Sequence, residues 1–249
     1  MKASSKPTKR RRKALPVHAQ PTPKRAAFTI ASANYMAHAA TLMQSLRTQM
    51  PDVARFIILA DTPHRFSGLD LAAEIINCAD LGIPLIDNMR LWYDVLEFNT
   101  AIKPSVFRHL ITRGFTELCY LDPDILVLAP LVEAFAALAS HSLVLTPHIL
   151  EPLQDGREPS DLTIMKSGVY NLGFLALRDD DDARRLLLWW AERCFTQCRV
   201  DIAGNFFTDQ RWMDLAPSFV PRCHILRHPG YNVAYWNLPH RPVARDSQI

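Results

Sequence analysis

Two aspartates stand one residue apart in Tyr120-Leu121-Asp122-Pro123-Asp124. The apolar run that precedes them is short and rich in branched and aromatic residues, which predicts a buried strand. Carboxylates at the end of a buried strand need partners, because an unpaired charge in an apolar setting is costly. A divalent cation that also binds phosphate oxygens would be a suitable partner, since hard cations take both kinds of ligand. On local sequence alone, a plain Asp-Pro-Asp turn explains the same residues.

Strand-like and helical segments alternate on both sides of this pair. Apolar patterning predicts strands at residues 27–31, 55–61, 73–76, 143–145 and 169–177, besides the strand that ends at Asp122. It predicts helices at residues 36–49, 89–113 (broken near Lys103), 131–139 and after the acidic run 179–182, whose charges suit a helix N-terminus. Residues 146–166 are predicted to be a long loop. The alternation indicates an α/β fold with a mainly parallel sheet, in which ligands lie at the carboxyl ends of strands.

Several common site motifs are missing from the sequence. There is no G-x-x-x-x-G-K-[ST] loop, no G-x-G-x-x-G fingerprint and no G-x-S-x-G elbow. With only eight glycines in the chain, phosphate must be held by something other than a glycine-rich loop. A metal ion on the two aspartates would fill that role.

Length and composition favour one large domain or two small ones, since the chain has 249 residues of which 49% are hydrophobic. No stretch reaches the roughly 18 uninterrupted apolar residues of a membrane helix. The five cysteines are irregularly spaced, which suits a reducing compartment and small buried side chains rather than a structural zinc site. We therefore expect a cytoplasmic protein.

Basic residues are concentrated at the N-terminus. Residues 1–25 hold nine Lys or Arg and no acid, so the remainder carries 19 basic and 25 acidic residues and a net charge of −6. This segment has almost no large apolar side chains, and we predict a disordered tail followed by a folded domain at 26–249. A basic tail can contact the inner face of a membrane or a nucleic acid. A solvated tail is the interpretation we favour, and a nucleic-acid role would rest on the tail alone.

Five ordered motifs make the chain resemble the retaining glycosyltransferases of family 8. They are the segment after the first strand, the helix before the aspartates, the D-x-D pair, a strand with Asn171-Leu172-Gly173, and Thr208-Asp209-Gln210. The resemblance covers residues 27 to about 237 and implies the GT-A fold, a single Rossmann-like domain with a mainly parallel central sheet. It also implies a transferase that moves a hexose from a UDP-sugar to a glycan or lipid-linked acceptor, with retention of configuration.

The resemblance assigns roles to residues near the nucleotide. Asp122 and Asp124 would bind Mn²⁺, or Mg²⁺, and this ion would hold the diphosphate of the donor. Tyr35 would stack on the base, Asn34 would contact the nucleoside, and Lys103 falls where a basic side chain could approach the phosphates.

The donor sugar is assigned to a second group of residues. Asn171 would hydrogen-bond the sugar, and Asp209 and Gln210 would face its hydroxyls and anomeric carbon. No residue stands out as a covalent nucleophile, and a same-face displacement assisted by the leaving phosphate is the usual suggestion for such enzymes.

The chain departs from the family at two places. Ser32 and Ala33 stand where the family commonly has acidic residues near the uracil. The family's C-terminal metal-binding histidine, in an H-x-x-G-type motif, has no counterpart before Ile249, and His224, His228 and His240 have other contexts. We hypothesise that the chain is truncated. The alternatives are a nucleotidyltransferase of similar fold and an inactive protein that binds a sugar nucleotide.

Overall fold

The computed structural model describes residues 22–61, 66, 70–153, 156, 158–241 and 243. Within them, the strands are β1 (Arg25–Ala31), β2 (Ala54–Leu59), β3 (Glu74–Asn77), β4 (Glu117–Leu121), β5 (Leu143–Pro147), β6 (Tyr170–Arg178), β7 (Val200–Asp201), β8 (Phe206–Phe207) and β9 (Cys223–Ile225). The helices are α1 (Met36–Gln49), α2 (Ile86–Trp92), α3 (Val95–Ala101), α4 (Lys103–Thr112), α5 (Val132–Leu138), α6 (Asp161–Ser167), α7 (Asp181–Thr196) and α8 (Ala216–Phe219). No helix in this described part of the chain is long and apolar enough to cross a membrane.

A seven-stranded sheet of order β3-β2-β1-β4-β6-β5-β9 forms the centre of the protein. Four of its six strand pairings are parallel. The exception is β6, which runs antiparallel to both of its neighbours, β4 and β5. The predicted α/β fold with a mainly parallel sheet is confirmed.

Apolar side chains cover both faces of this sheet. Alternate residues of a strand point to opposite faces, so Phe28 and Ile30 of β1 join one core while Ala27 and Ala31 join the other. Helices α4 and α7 pack on the first face, and helices α1 and α5 pack on the second. Burial on both faces explains why the central strands read as continuous apolar runs.

The predicted helices agree with the observed ones to different degrees. Helix α1 was predicted with its observed ends, Met36 and Gln49. The region predicted at 89–113 is helical and broken before Lys103 as expected, but an unpredicted second break at Tyr93 divides it further, so that it forms α2, α3 and α4. Asp94 starts α3 with a capping box to Glu97, and Pro104 occupies the first turn of α4.

Two predicted boundaries also need correction. The long loop at 146–166 is shorter than predicted, since α6 begins at Asp161 after the N-cap residue Ser160. Arg25, which we placed in the tail, is the first residue of β1, and its guanidinium lies 2.9 Å from the Glu117 carboxylate. Residues 1–21 of the predicted tail lie outside the described residues.

Candidate functional site

One edge of the sheet gathers the polar residues that the sequence singled out. The carboxyl ends of β1, β2 and β4 point to this edge because the three strands are parallel. Since β6 is antiparallel, its first residues reach the same edge. Asn34 and Tyr35 therefore follow β1, Asp122 and Asp124 follow β4, and Asn171 lies at the beginning of β6.

The aspartate pair begins in a fixed turn. The Asp122 backbone N–H donates to the Gly173 carbonyl over 2.8 Å, and the Tyr120 hydroxyl donates to Asp122 Oδ1 over 2.6 Å. Burial raises the pKa of Asp122, while the nearby Lys103 ammonium and the Tyr120 hydrogen bond act in the opposite direction. Asp124 is exposed to solvent. The first carboxylate is thus held by the protein and the second faces outwards.

The absence of a side chain at Gly173 leaves room for two side-chain oxygen atoms beside its α-carbon. A Cβ atom at this position would lie 2.9 Å from Asp122 Oδ2 and 2.9 Å from Asn171 Oδ1. Carboxylate and amide oxygens suit a hard divalent cation. In the part of the chain that the structure describes, no three His, Cys, Asp or Glu side chains form a metal-binding group. Two carboxylates still fit Mg²⁺ or Mn²⁺, because such ions often complete their coordination with substrate phosphates and water.

A buried ion pair lies beside Leu172, the residue before Gly173. Lys103 Nζ is 2.7 Å from Asp209 Oδ2, and both side chains are 2% exposed. The ammonium also donates to the Leu172 carbonyl over 3.0 Å and lies 4.2 Å from the centre of the Tyr120 ring. Burial raises the pKa of Asp209, and the charge of Lys103 opposes this effect. In this structure Lys103 therefore binds protein groups in the interior rather than facing open solvent.

The Gln210 side chain also binds the backbone near the start of β6. Its Oε1 accepts from the Leu172 N–H over 2.9 Å, and its Nε2 donates to the Ser167 carbonyl over 2.8 Å. The adjacent Asp209 carbonyl accepts from Trp190 Nε1 over 3.1 Å. Gln210 thus binds the backbone before and after Asn171, at Ser167 and Leu172.

Asn171 completes this group of residues. Its Oδ1 accepts from the Gly173 N–H over 2.7 Å, and the side chain is half-buried. Among the described residues, no group accepts a hydrogen bond from its Nδ2, which remains as a donor for a ligand. The structure thus brings Lys103, Asp122, Asn171, Asp209 and Gln210 close together in space.

The other end of the edge is more open. Asn34 is exposed, and Tyr35 is 45% exposed with its ring 5.1 Å from that of His38. Next to them is a cleft of about 350 Å³ whose polar lining comprises Ser32, Asp61, Arg90, Tyr93, Asp94 and Asn99. A nucleoside could lie along this part of the edge.

Asp61 is the residue that the sequence interpretation missed. Both of its carboxylate oxygens accept from the Ala33 N–H, over 3.1 and 2.9 Å. Asp61 therefore provides an acidic group beside Ser32 and Ala33, at positions where the family commonly has acidic residues. A signal was available, because Asp61 ends the second predicted strand and such strand ends meet at one edge.

The three C-terminal histidines lie in other surroundings. The His224 ring packs against His141 at 5.0 Å, His228 faces Glu133 at 3.7 Å, and His240 faces Glu151 at 3.4 Å. The described part of the chain therefore provides two carboxylates for a metal ion and no histidine beside them.

Sequence comparisons identify relatives of this chain but no family. No family model matches the chain. It is 26% identical over 215 residues to the uncharacterized protein YfnF of Bacillus subtilis (strain 168), covering 84% of this chain and 71% of YfnF. It is 24% identical over 153 residues to the uncharacterized protein YfnD of the same organism, covering 60% of this chain and 47% of YfnD.

A solved structure shows the same fold. The glycosyltransferase GlyE of Streptococcus pneumoniae TIGR4 matches with a TM-score of 0.50 and 15% identity, over 84% of this chain. The match spans 47% of the GlyE chain, so this protein corresponds to about half of that structure. The expected GT-A fold is accordingly confirmed.

Proposed function

We propose that the protein is a metal-dependent glycosyltransferase that moves a hexose from a UDP-sugar to a glycan or lipid-linked acceptor. The strongest support is that Asp122 Oδ2 and Asn171 Oδ1 both lie beside Gly173, whose lack of a side chain leaves room for them. It lies at the sheet edge where α/β folds bind ligands. The cleft beside Ser32 and Asp61 continues this edge and offers room for a nucleoside.

Asp122 and Asp124 would hold Mn²⁺ or Mg²⁺ through carboxylate oxygens, and such an ion neutralises charge on the leaving nucleoside diphosphate. Tyr35 would stack on the base, and Asn34 and Asp61 would contact the nucleoside. Asn171 would donate from Nδ2 to a hydroxyl of the donor sugar. These contacts would fix the anomeric carbon relative to the acceptor, which is the main contribution that positioning makes to such a reaction.

Retention of configuration is also part of the proposal. The Asp209 carboxylate is tied to Lys103, and both polar atoms of the Gln210 side chain bind backbone groups. Neither is available in this arrangement as a nucleophile on the sugar. This favours a same-face displacement over a covalent intermediate, with Asp209 and Gln210 as positioning residues.

The metal role can be tested with Asp124→Asn. We expect UDP release from UDP-glucose or UDP-galactose in the presence of Mn²⁺ to fall by more than about 100-fold, since even outer-shell partners of metal ligands contribute 10–100-fold. Asp52→Asn is the matched control, because Asp52 is exposed and precedes β2 at the opposite edge. Turnover by Asp124→Asn at the unmodified rate would refute the metal role.

Two further outcomes would identify the alternative functions. Release of pyrophosphate instead of UDP would favour a nucleotidyltransferase. UDP binding measured by calorimetry in the presence of Mn²⁺, without turnover of either sugar nucleotide, would favour an inactive binding protein.

A further inference from the structure

The segment after β9 is attached to the end of β5 by three side chains. Asn232 Nδ2 donates to the Pro147 carbonyl over 2.9 Å, and Trp236 Nε1 and Asn237 Nδ2 donate to the His148 carbonyl over 3.2 and 2.9 Å. Because β5 is parallel to β9 and antiparallel to β6, its end lies at the same edge as Asp122. The segment from Tyr231 to Asn237, which we call the C-terminal loop, therefore borders the candidate site.

Buried polar groups hold the C-terminal loop in one shape. Asn237 is 1% exposed, donates to the Asn232 carbonyl over 2.8 Å and accepts from the Ala234 N–H over 3.0 Å. Arg241 is 4% exposed and donates to the carbonyls of Tyr231 and Asn232. Asn232 itself has a φ of +53°, which few non-glycine residues adopt. Burial of an amide and a guanidinium is costly unless both are hydrogen-bonded. The hydrogen bonds of Asn237 and Arg241 therefore favour one conformation of this loop.

The fixed loop presents Tyr235 to solvent, with the half-buried Trp236 beside it. Tyr235 is 74% exposed, and its ring packs edge-on against Trp236 with centroids 5.0 Å apart. Trp236 is in turn fixed by its hydrogen bond and by the His148 ring at 5.7 Å. Rigid aromatic side chains provide large amphipathic contact areas at low entropic cost, which is why binding surfaces favour them.

The pair lies on the far side of Asn171 from the nucleotide cleft. Pro147 of β5 pairs with Tyr170 of β6, and the His148 N–H donates to the Val169 carbonyl over 3.1 Å. Val169 is two residues from Asn171, which corresponds to about 7 Å along a strand. A donor that extends from β2 over β1 and β4 to Asn171 would therefore end beside the loop. The next space along the edge is available to a second substrate.

We infer that Tyr235 and Trp236 form a platform for the sugar ring of a glycan acceptor. A pyranose has an apolar face of C–H groups that stacks on an aromatic ring, and a rim of hydroxyls that the Tyr235 phenol can hydrogen-bond. The inference rests on the proposed function for its biological meaning. The platform itself can be tested separately.

Saturation-transfer difference NMR can measure binding of the methyl glycosides of glucose, galactose and N-acetylglucosamine to this chain. We expect saturation transfer to at least one of them, a loss of affinity of about tenfold in Tyr235→Ala, and retention in Tyr235→Phe, which keeps the ring. Leu188→Ala is the control, because Leu188 is a 50% exposed residue of α7. No transfer to any glycoside, or equal binding by Tyr235→Ala and the unmodified chain, would overturn the platform.

Calorimetry with UDP and Mn²⁺ on the same samples separates this inference from the proposed function. Intact UDP binding by Tyr235→Ala together with lost glycoside binding would support both. Glycoside binding through Tyr235 without any UDP binding would refute the proposed function and leave the platform standing. Loss of both ligands in Tyr235→Ala would overturn the inference, because the platform would not then be separate from the donor site.

Discussion

The two ends of the functional edge are built in different ways. At the nucleotide end, Asn34 and Tyr35 are exposed, and the main fixed contact is between Asp61 and the Ala33 N–H. At the sugar end, Lys103 and Asp209 form a buried pair and Gln210 binds the backbone on both sides of Asn171. The side chains at the nucleotide end are exposed, whereas those at the sugar end are fixed by buried contacts within the protein itself.

The difference follows from what each end would have to do. A reacting carbon must be held within narrow limits, because a displacement of about 1 Å can cost 100-fold in rate. A base that lies away from the bond being broken can be bound by exposed side chains that adjust. Under the proposed function, the costly buried charges lie where geometry is critical.

The strongest test of the comparison removes the buried cation. We expect Lys103→Ala to lower the free energy of unfolding by about 3–5 kcal/mol, because it leaves the Asp209 carboxylate buried without its counter-charge. Urea denaturation measures this change. Lys103→Met combined with Asp209→Leu should recover most of the stability, since apolar replacement of a buried pair is often neutral.

An exposed ion pair supplies the control for this substitution. Arg47 and Asp70 are 2.8 Å apart, with side chains 49% and 59% exposed. We expect Arg47→Ala to change the free energy of unfolding by less than about 1 kcal/mol. Equal losses in Arg47→Ala and Lys103→Ala would contradict the view that the sugar end depends on a buried charge.

The pH dependence of stability should reflect a buried histidine, His148, at the end of β5. Burial lowers the pKa of His148 to about 4, whereas an unfolded histidine titrates near 6.5. Between these values only the unfolded chain binds the proton, so stability falls as the pH drops from about 6.5 to 4. The contribution at stake is about 3 kcal/mol.

Urea denaturation at pH 7 and pH 4.5 tests this expectation. His148→Gln should lose less stability on acidification than the unmodified chain does. Identical pH profiles for His148→Gln and the unmodified chain would show that His148 is not the group responsible.

The smallest effect on stability is expected at the nucleotide end. Tyr35→Ala should change the free energy of unfolding by less than about 0.5 kcal/mol, because the side chain is 45% exposed. The affinity of the Tyr35→Ala variant for UDP should nevertheless fall about tenfold, because base stacking contributes about 1–3 kcal/mol. Calorimetry measures the affinity, and Tyr35→Phe should bind normally. Unchanged UDP binding by Tyr35→Ala would remove Tyr35 from the proposed site.

The sequence predicted what local patterns determine. Alternating apolar segments gave the α/β class, helical spacing gave both ends of α1, and the apolar run before Asp122 placed the aspartates at a strand end. The antiparallel direction of β6 could not be predicted in this way, because it depends on how the preceding connection crosses the sheet. The partnership of Lys103 with Asp209 likewise joins residues that are distant in sequence and meet only through tertiary packing.

The antiparallel pairing of β6 with β4 has a consequence for how the protein can vary. Side chains alternate between the faces of a strand, so a shift of one residue would turn the whole strand over. Insertion of a residue between Asn171 and Phe174 would remove Asn171 from Asp122 and disturb the hydrogen bond from Asp122 to Gly173. The composition of the candidate site is therefore encoded in strand register as well as in residue identity.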